Sequence, residues 1–166
     1  MFIMFNLFRK NKPAEDIDLV AAVDGQLMPI TDIKDDVFST KILGDGFAIK
    51  PSADQVYAPI SGEVSNLFSS KHAIGISTKE GLEVLVHLGL DTVELKGEPF
   101  TLKVQQGGRV KKGEPLLTMD TKQITAAGYD DSVIIVYANM NVLKHISPVE
   151  RGKVKHGQKV QTIEFK

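Results

Sequence analysis

Short apolar runs that alternate with polar residues dominate this chain, and Gly, Pro or Asp residues separate the runs. Such alternation places successive side chains on opposite faces, as in a half-buried β-strand. Because the runs are closely spaced, with turn residues between them, the pattern predicts an all-β sandwich or barrel. The predicted strands cover residues 46–50, 55–58, 62–65, 73–77, 82–86, 100–104, 132–137 and 159–165.

Helical periodicity is scarce. Segments 17–23 and 122–128 are the candidates for a turn or two of helix, and Gly128 would cap the second segment. No strand alternates with a long helix, which excludes a doubly wound nucleotide-binding fold.

Two short sequence motifs each occur twice in the chain. Segment 108–116 (GRVKKGEPL) matches segment 152–160 (GKVKHGQKV), and Asp24-Gly-Gln-Leu27 resembles Ser61-Gly-Glu-Val64. This repetition indicates a duplicated β motif, each copy of which is too small to bury its own apolar face. Gly113 and Gly157 close the same turn in the two copies, where we expect a positive φ.

The composition mainly excludes classes of protein and kinds of site. The 166 residues suffice for one domain with a core, and 20 Lys and Arg against 21 Asp and Glu give a net charge of −1. Nucleic-acid binding is therefore not expected, because it normally requires a strongly basic surface. The absence of Cys excludes disulfides, thiolate zinc sites, iron–sulfur clusters and cysteine nucleophiles, and it fits a cytoplasmic protein.

The N-terminal segment has an unusual composition. Seven of residues 1–8 are apolar, and Arg9, Lys10 and Lys12 follow. The run is much shorter than the roughly 20 residues of a spanning helix, and a signal peptide would carry its charge first. Two interpretations stay open: a flexible tail, or an amphitropic anchor to anionic lipid. We divide the chain into a flexible segment, 1–16, in which residues 1–12 are a candidate peripheral membrane contact, and a domain, 17–166.

Two of the four histidines are candidates for chemistry. His87 interrupts the apolar strand 82–88 and is followed by Gly89, which allows close approach of a backbone or ligand. His72 lies 15 residues upstream, a spacing that suits neighbouring antiparallel strands joined by a turn at 79–81. Two facing imidazoles can bind a metal, perform acid–base catalysis or carry a phosphoryl group. A purely structural pair ranks level with these uses.

The other two histidines are expected to be ordinary surface residues. His156 occupies the position that Lys112 holds in the other copy of the repeat, which indicates an exposed turn. His145 has no neighbouring residue in the sequence with which it would form a site.

Residues 81–93 (GLEVLVHLGLDTV) carry a specific resemblance. They are similar at every position to the active-site signature of the glucose-type enzyme IIA of the bacterial phosphoenolpyruvate-dependent sugar phosphotransferase system. Segments 44–51, 58–62, 71–74 and 91–98 are similar to the same family, and the resemblance runs from about residue 25 to 165. It implies an antiparallel β-sandwich built from a duplicated barrel-sandwich-type motif with little helix, in agreement with the strand pattern.

The resemblance also implies an activity and roles for four residues. Enzyme IIA accepts a phosphoryl group from phospho-HPr and passes it to a Cys of the IIB domain of a sugar permease. His87 corresponds to the acceptor, at Nε2, and His72 to the histidine that stabilises the phosphoryl group. Ser70 would orient His72, and the carbonyl of Gly89 would fix the tautomer of His87. Asp91 is a further candidate apart from the resemblance: it would accept a local hydrogen bond, or repel the phosphoryl group and help its departure. A turn residue without such a role is the alternative.

Further expectations concern surfaces and partners. The resemblance suggests an apolar rim around the histidines, which would dock partners. HPr and a IIB domain are the expected partners, regulatory target proteins are further candidates, and the chain is expected to be monomeric. The residues expected on the rim are Phe38, Ile42, Phe68, Leu85 and Val93.

No cofactor is required for this activity. His72 and His87 would bind zinc only if a partner supplied a carboxylate. Because the chain contains no Cys, the cysteine step is expected on another polypeptide, with this chain acting as a cytoplasmic phosphotransferase, in part at the inner face of the membrane.

Three rival interpretations compete with this one. The spacing of His87 and Asp91 fits half of a lysostaphin-type zinc peptidase site, but the chain lacks the required His-x-His. Lipoyl- and biotinyl-carrier domains are about half as long and present a Lys in a tight hairpin, and no such hairpin stands out. A regulatory binder without phosphotransfer is the third interpretation.

Overall fold

The computed structural model describes residues 16–166, so the candidate membrane contact, residues 1–12, lies outside the described residues. Within the described part, no helix is long and apolar enough to cross a membrane. The strands in chain order are β1 (Ile17–Val20), β2 (Gly25–Pro29), β3 (Gly46–Pro51), β4 (Gln55–Tyr57), β5 (Gly62–Leu67), β6 (Ala73–Ser77), β7 (Glu83–Leu88), β8 (Phe100–Leu102), β9 (Arg109–Val110), β10 (Pro115–Met119), β11 (Val133–Tyr137), β12 (Leu143–Ile146), β13 (Gly152–Val154) and β14 (Lys159–Phe165).

All strand pairings in the described chain are antiparallel, and they form one large and two small sheets. The large sheet has the order β13-β2-β3-β11-β7-β6-β5-β9, and the small sheets have the orders β1-β14-β12 and β4-β10-β8. Alternate residues of these strands point into one apolar core, for example Val84, Val86 and Leu88 of β7. The predicted all-β sandwich is confirmed.

The predicted duplication is visible in the backbone hydrogen bonds. The amide of Gly113 donates to the carbonyl of Ala58 at 2.8 Å, and the amide of Gly157 donates to the carbonyl of Ala21 at 2.9 Å. Each glycine has a positive φ, 92° and 86° respectively. One copy of the motif, β4 to β10, is contiguous, whereas the other combines β1 to β3 with β11 to β14.

The same equivalence relates His156 and Lys112, as the sequence predicts. The amide of His156 donates to the Asp24 carboxylate and that of Lys112 donates to the Ser61 hydroxyl, both at 2.8 Å. The His156 imidazole is exposed, and it stacks on Tyr57 with ring centroids 3.9 Å apart.

One of the two candidate helical segments is a helix. Helix α1 (Thr121–Ala126) begins after Asp120, whose carboxylate accepts a hydrogen bond from the amide of Gln123, and Gly128 follows it with φ 89°. The helical expectation for segment 17–23 is wrong. Its first residues form β1, because they pair with β14 and bury Leu19 in the core.

A second, smaller apolar cluster covers the outer face of the large sheet. The segment between β2 and β3 supplies Ile30, Ile33 and Phe38, which pack on Ala48, Ile134 and Val136 of β3 and β11. This cover segment, residues 30–45, matters for function because residue 87 of β7 points to the same outer face.

We predict that the two repeat glycines contribute equally to stability. Gly113→Ala and Gly157→Ala should each lower the free energy of unfolding by about 1–2 kcal/mol, because a side chain at positive φ is strained. The added methyl group would meet no neighbour within 4 Å at either position among the described residues, so backbone strain is the main cost. Urea unfolding of the single and double variants measures these losses in the free energy of unfolding. Markedly unequal or non-additive losses would contradict the equivalence.

Candidate active site

His87 lies near the middle of the large sheet on its outer face. In β7 it pairs with Ile134 of β11 on one side and with Ala73 of β6 on the other. The ring of Phe38 packs against it, with ring centroids 4.9 Å apart. The imidazole is therefore held by two neighbouring strands and by the cover segment.

The backbone just after β7 fixes the orientation of the His87 ring. Nδ1 of His87 is 2.8 Å from the carbonyl oxygen of Gly89. Because a carbonyl only accepts, Nδ1 carries the proton and Nε2 keeps a free lone pair in the neutral ring. Gly89 has φ 83°, and a Cβ there would lie 2.5 Å from Thr92 and 2.7 Å from the carbonyl oxygen of Asp130. A glycine is therefore required at this position.

Burial keeps His87 neutral. Desolvation lowers its pKa from 6.5 to about 4, although the hydrogen bond to Gly89 and the carboxylates of Asp35 and Asp91 act in the opposite direction. The nearby imidazole of His72 also lowers this pKa. At neutral pH the ring is therefore uncharged, with a free lone pair on Nε2.

The structure brings His72 beside His87, as their spacing predicts. His72 directly precedes β6, and its carbonyl accepts a hydrogen bond from the amide of Leu88 at 2.7 Å. The two imidazole centroids are 5.3 Å apart, with the ring planes at 79°. Burial lowers the pKa of His72 as well. Both rings are therefore close enough to contact one small group.

The expected contact from Ser70 to His72 is not formed. Nδ1 of His72 is buried and has no hydrogen-bond partner within the described chain. Ser70 lies in the turn before β6, in which the amide of Lys71 donates to the carbonyl of Phe68 and Lys71 has φ 56°.

Of the residues expected on the apolar rim, Phe38 and Val93 line the depression that contains both histidines, and the ring centroid of Phe68 is 5.4 Å from that of His72. Two further exposed apolar residues add to this lining. Ile42, Phe68 and Val93 are 77%, 37% and 43% exposed, and Leu85 is half-buried. Phe38 is only 6% exposed, because its side chain packs in the smaller apolar cluster, but it still lines the depression.

The two additions to the rim, Val37 and Leu43, are exposed. They flank Phe38 and Ile42 in the sequence, so the dense apolar pattern of 37–43 was the available signal. A depression of about 280 Å³ includes both histidines together with Val37, Leu43 and Val93.

Two carboxylates border this depression. Asp91 is exposed, has φ 60° and begins a short 3₁₀ turn, Thr92–Leu95. Asp35 was not identified from the sequence, and its carboxylate accepts a hydrogen bond from the amide of Phe38 at 2.8 Å. An Asp three residues before a buried aromatic is a common turn pattern, which was the available signal.

The histidine pair does not form a complete metal site by itself. No group of three or more His, Cys, Asp or Glu side chains among residues 16–166 is arranged to hold a metal ion. A zinc ion at His72 and His87 would need a further ligand from outside the described chain.

The duplicated sandwich and its two adjacent, half-buried histidines define the class of protein: a β-sandwich with a paired-imidazole site on the outer face of its large sheet. Residues 17–143 match the family model described as phosphoenolpyruvate-dependent sugar phosphotransferase system, EIIA 1. The chain belongs to this family and is an enzyme IIA of the glucose type. Phosphoryl transfer in general is the activity of the family.

Curated relatives are longer than this chain. It is 42% identical over 148 residues to the PTS system glucose-specific EIICBA component of Streptococcus pneumoniae, covering 89% of this chain and 20% of the relative. It is 41% identical over 133 residues to the PTS system beta-glucoside-specific EIIBCA component of Bacillus subtilis, covering 80% of this chain and 22% of the relative. The chain therefore spans about a fifth of the length of these relatives.

A solved structure has the same fold over nearly its full length. The glucose permease IIA from Mycoplasma capricolum superposes with a TM-score of 0.83 and 37% sequence identity. The alignment covers 90% of this chain and 96% of that structure.

We predict that the pKa of His87 controls part of the acid stability. The unfolded chain binds a proton at this residue below pH 6.5, whereas the folded chain binds it only near pH 4. This stabilising contribution is complete above pH 6.5 and is lost as the pH falls to 4.

The measurement compares wild type with His87→Asn, whose amide can still donate near the position of Nδ1. Their difference in free energy of unfolding should change by about 1.4 kcal/mol per pH unit in this range, to a total of about 3 kcal/mol. An NMR titration of the His87 ring should give a midpoint near pH 4. A midpoint near 6.5, or a difference independent of pH, would contradict the prediction.

Proposed function

We propose that this chain accepts a phosphoryl group from phospho-HPr on Nε2 of His87 and donates it to a Cys of a IIB domain. The observation that carries the proposal is the hydrogen bond from Nδ1 of His87 to the Gly89 carbonyl, which assigns the free lone pair to Nε2. The apolar depression with a second imidazole beside this ring supports it.

The proposed transfer is a substitution at phosphorus. The Nε2 lone pair attacks phosphorus, the P–Nε2 bond forms, and the bond from phosphorus to the donor atom breaks with its electron pair leaving on the donor. Nδ1 keeps its proton, and the Gly89 carbonyl stabilises the positive charge that develops on the ring. The reaction then needs positioning more than further covalent chemistry, so no cofactor is required.

His72 is proposed to stabilise the phosphoryl oxygens during transfer. Its ring lies edge to face with that of His87, and its Nδ1 has no hydrogen-bond partner in residues 16–166. Asp35 and Asp91 border the same depression, and their negative charges would favour departure of the phosphoryl group. One imidazole hydrogen-bond donor and two carboxylates around the phosphoryl group would keep the transfer close to reversible.

The apolar rim is proposed to dock both partners. Ile42 and Val93 are exposed without apolar cover from the described chain, and such a patch marks a contact surface. Residue substitution on this rim should therefore change binding rather than chemistry. Zinc is proposed only as a bridging ion, held by both histidines and a partner carboxylate.

The central prediction concerns labelling from phosphoenolpyruvate through enzyme I and HPr. Wild type should take up an acid-labile, alkali-stable phosphate, and His87→Ala should take up none, because the nucleophile is gone. His72→Gln should accept phosphate but pass it to a IIB domain at least about tenfold more slowly, since one charged hydrogen bond to the transition state is lost.

Each arm of this experiment has a contradicting result. An unlabelled wild type or a labelled His87→Ala variant would remove His87 as the acceptor. Normal donation from His72→Gln would remove His72 from the transfer step. His145→Ala is the matched control, because this exposed histidine of β12 lies outside the depression and should leave labelling unchanged.

A second prediction concerns the rim. Ile42→Ser should raise the KM for phospho-HPr about tenfold with little change in kcat, because burying this side chain at an interface contributes about 1.5 kcal/mol or more. Met140→Ser is the control: Met140 is also exposed, but its neighbour Asn139 bonds to Glu83, at the end of β7 remote from His87. Equal KM values for both variants would place docking elsewhere.

A further inference from the structure

The Gly89 carbonyl, which orients His87, lies on a backbone segment held by the loop before β11. The amide of Gly89 donates to the carbonyl of Ser132 at 2.8 Å, and the amide of Leu90 donates to the carbonyl of Asp130 at 2.9 Å. A Cβ atom placed on Gly89 would lie 2.7 Å from the carbonyl oxygen of Asp130, so the two segments are in close contact. The position of residues 89–90 therefore depends on the position of residues 130–132.

Loop 130–132 is in turn fixed by a buried carboxylate. Asp131 is 4% exposed and forms an ion pair with Lys50 of β3. The carboxylate of Asp130 lies 3.9 Å from the same ammonium group and accepts a hydrogen bond from the amide of Ser132 at 2.8 Å. Burying a carboxylate without a partner costs free energy, so the ion pair with Lys50 stabilises this conformation of the loop.

Lys50 and His87 are linked through three adjacent strands. Ile134 of β11 pairs with Ala48 of β3 on one side and with His87 of β7 on the other. Lys50 follows Ala48 by two residues and therefore projects from the same outer face as His87. The ion pair is thus built on the strands that carry the active site.

We propose that Lys50 and Asp131 are positioning residues for His87. By holding loop 130–132 against β3, the ion pair fixes residues 89–90 and so the carbonyl that accepts the Nδ1 hydrogen of His87. This inference rests on the proposed function. It makes the tautomer of the His87 ring depend on an ion pair outside the histidine motif 81–93. Loosening the loop would let the ring rotate or change tautomer, which removes the lone pair from Nε2 for part of the time.

The test uses Asp131→Asn, which removes the carboxylate charge with nearly unchanged size. The ¹⁵N NMR shifts of the His87 ring at pH 7 should indicate a proton on Nδ1 in wild type and move toward a mixture of tautomers in the variant. Phosphoryl acceptance from phospho-HPr should fall between about 10-fold and 100-fold in kcat with little change in KM, since docking is untouched. Lys50→Arg should retain wild-type behaviour because it preserves the ion pair.

Two further variants control for stability. Asp18→Asn removes another carboxylate, which lies 3.4 Å from Lys159 between β1 and β14, and it should alter neither the tautomer nor kcat. If Asp131→Asn does not fold, Lys50→Met combined with Asp131→Asn removes both charges and leaves none buried without a partner. This double variant should show the same loss.

The outcomes separate this inference from the proposed function. A folded Asp131→Asn or double variant with unchanged ring shifts and unchanged kcat overturns the positioning role. Absence of labelling in wild type overturns the proposed function, while the ring shifts still decide whether Lys50 and Asp131 set the tautomer. Equal losses in Asp18→Asn would also overturn the inference, because they would show a general effect of removing an ion pair.

Discussion

The hydrogen bond between Nδ1 of His87 and the carbonyl of Gly89 is the contact on which the site depends. It requires a residue at positive φ directly after β7, which only glycine provides without strain, and it assigns the proton of the neutral ring. Burial under Phe38 supplies the second condition, because it keeps the imidazole uncharged at neutral pH. Orientation and charge state of one ring thus follow from two local features.

The duplicated fold explains the position of this site but not its uniqueness. The two copies meet at the β11–β7 pair in the middle of the large sheet, where residues are held from both sides. Only β7 carries a histidine there, and Ile134 occupies the position opposite. The cover segment between β2 and β3 breaks the symmetry further, because it shields one part of the sheet face and leaves an apolar rim around the histidines.

The strand pattern, the repeat and the histidine pair were predictable from the sequence, because alternation, turn glycines and a spacing of 15 residues are local properties. Three features were not. The helical expectation at residues 17–23 failed since pairing with a strand at the other end of the described chain decided its conformation. The near-complete burial of Phe38 was not expected, because it depends on the path of its own loop across the sheet. Ser70 was expected to orient His72, but Nδ1 of that ring has no hydrogen-bond partner in the described chain.

The split copy of the motif has a consequence for biosynthesis. Strands β4 to β10 are consecutive, so every partner for the pairings within this half is present once β10 has left the ribosome. By contrast, the Thr162 hydroxyl donates to the Asp18 carboxylate across a sequence separation of 144 residues. Strands β1 to β3 must therefore wait, with apolar faces exposed, until the last strands have been translated. His87 belongs to the contiguous copy, and β11, which pairs with its strand, belongs to the split copy.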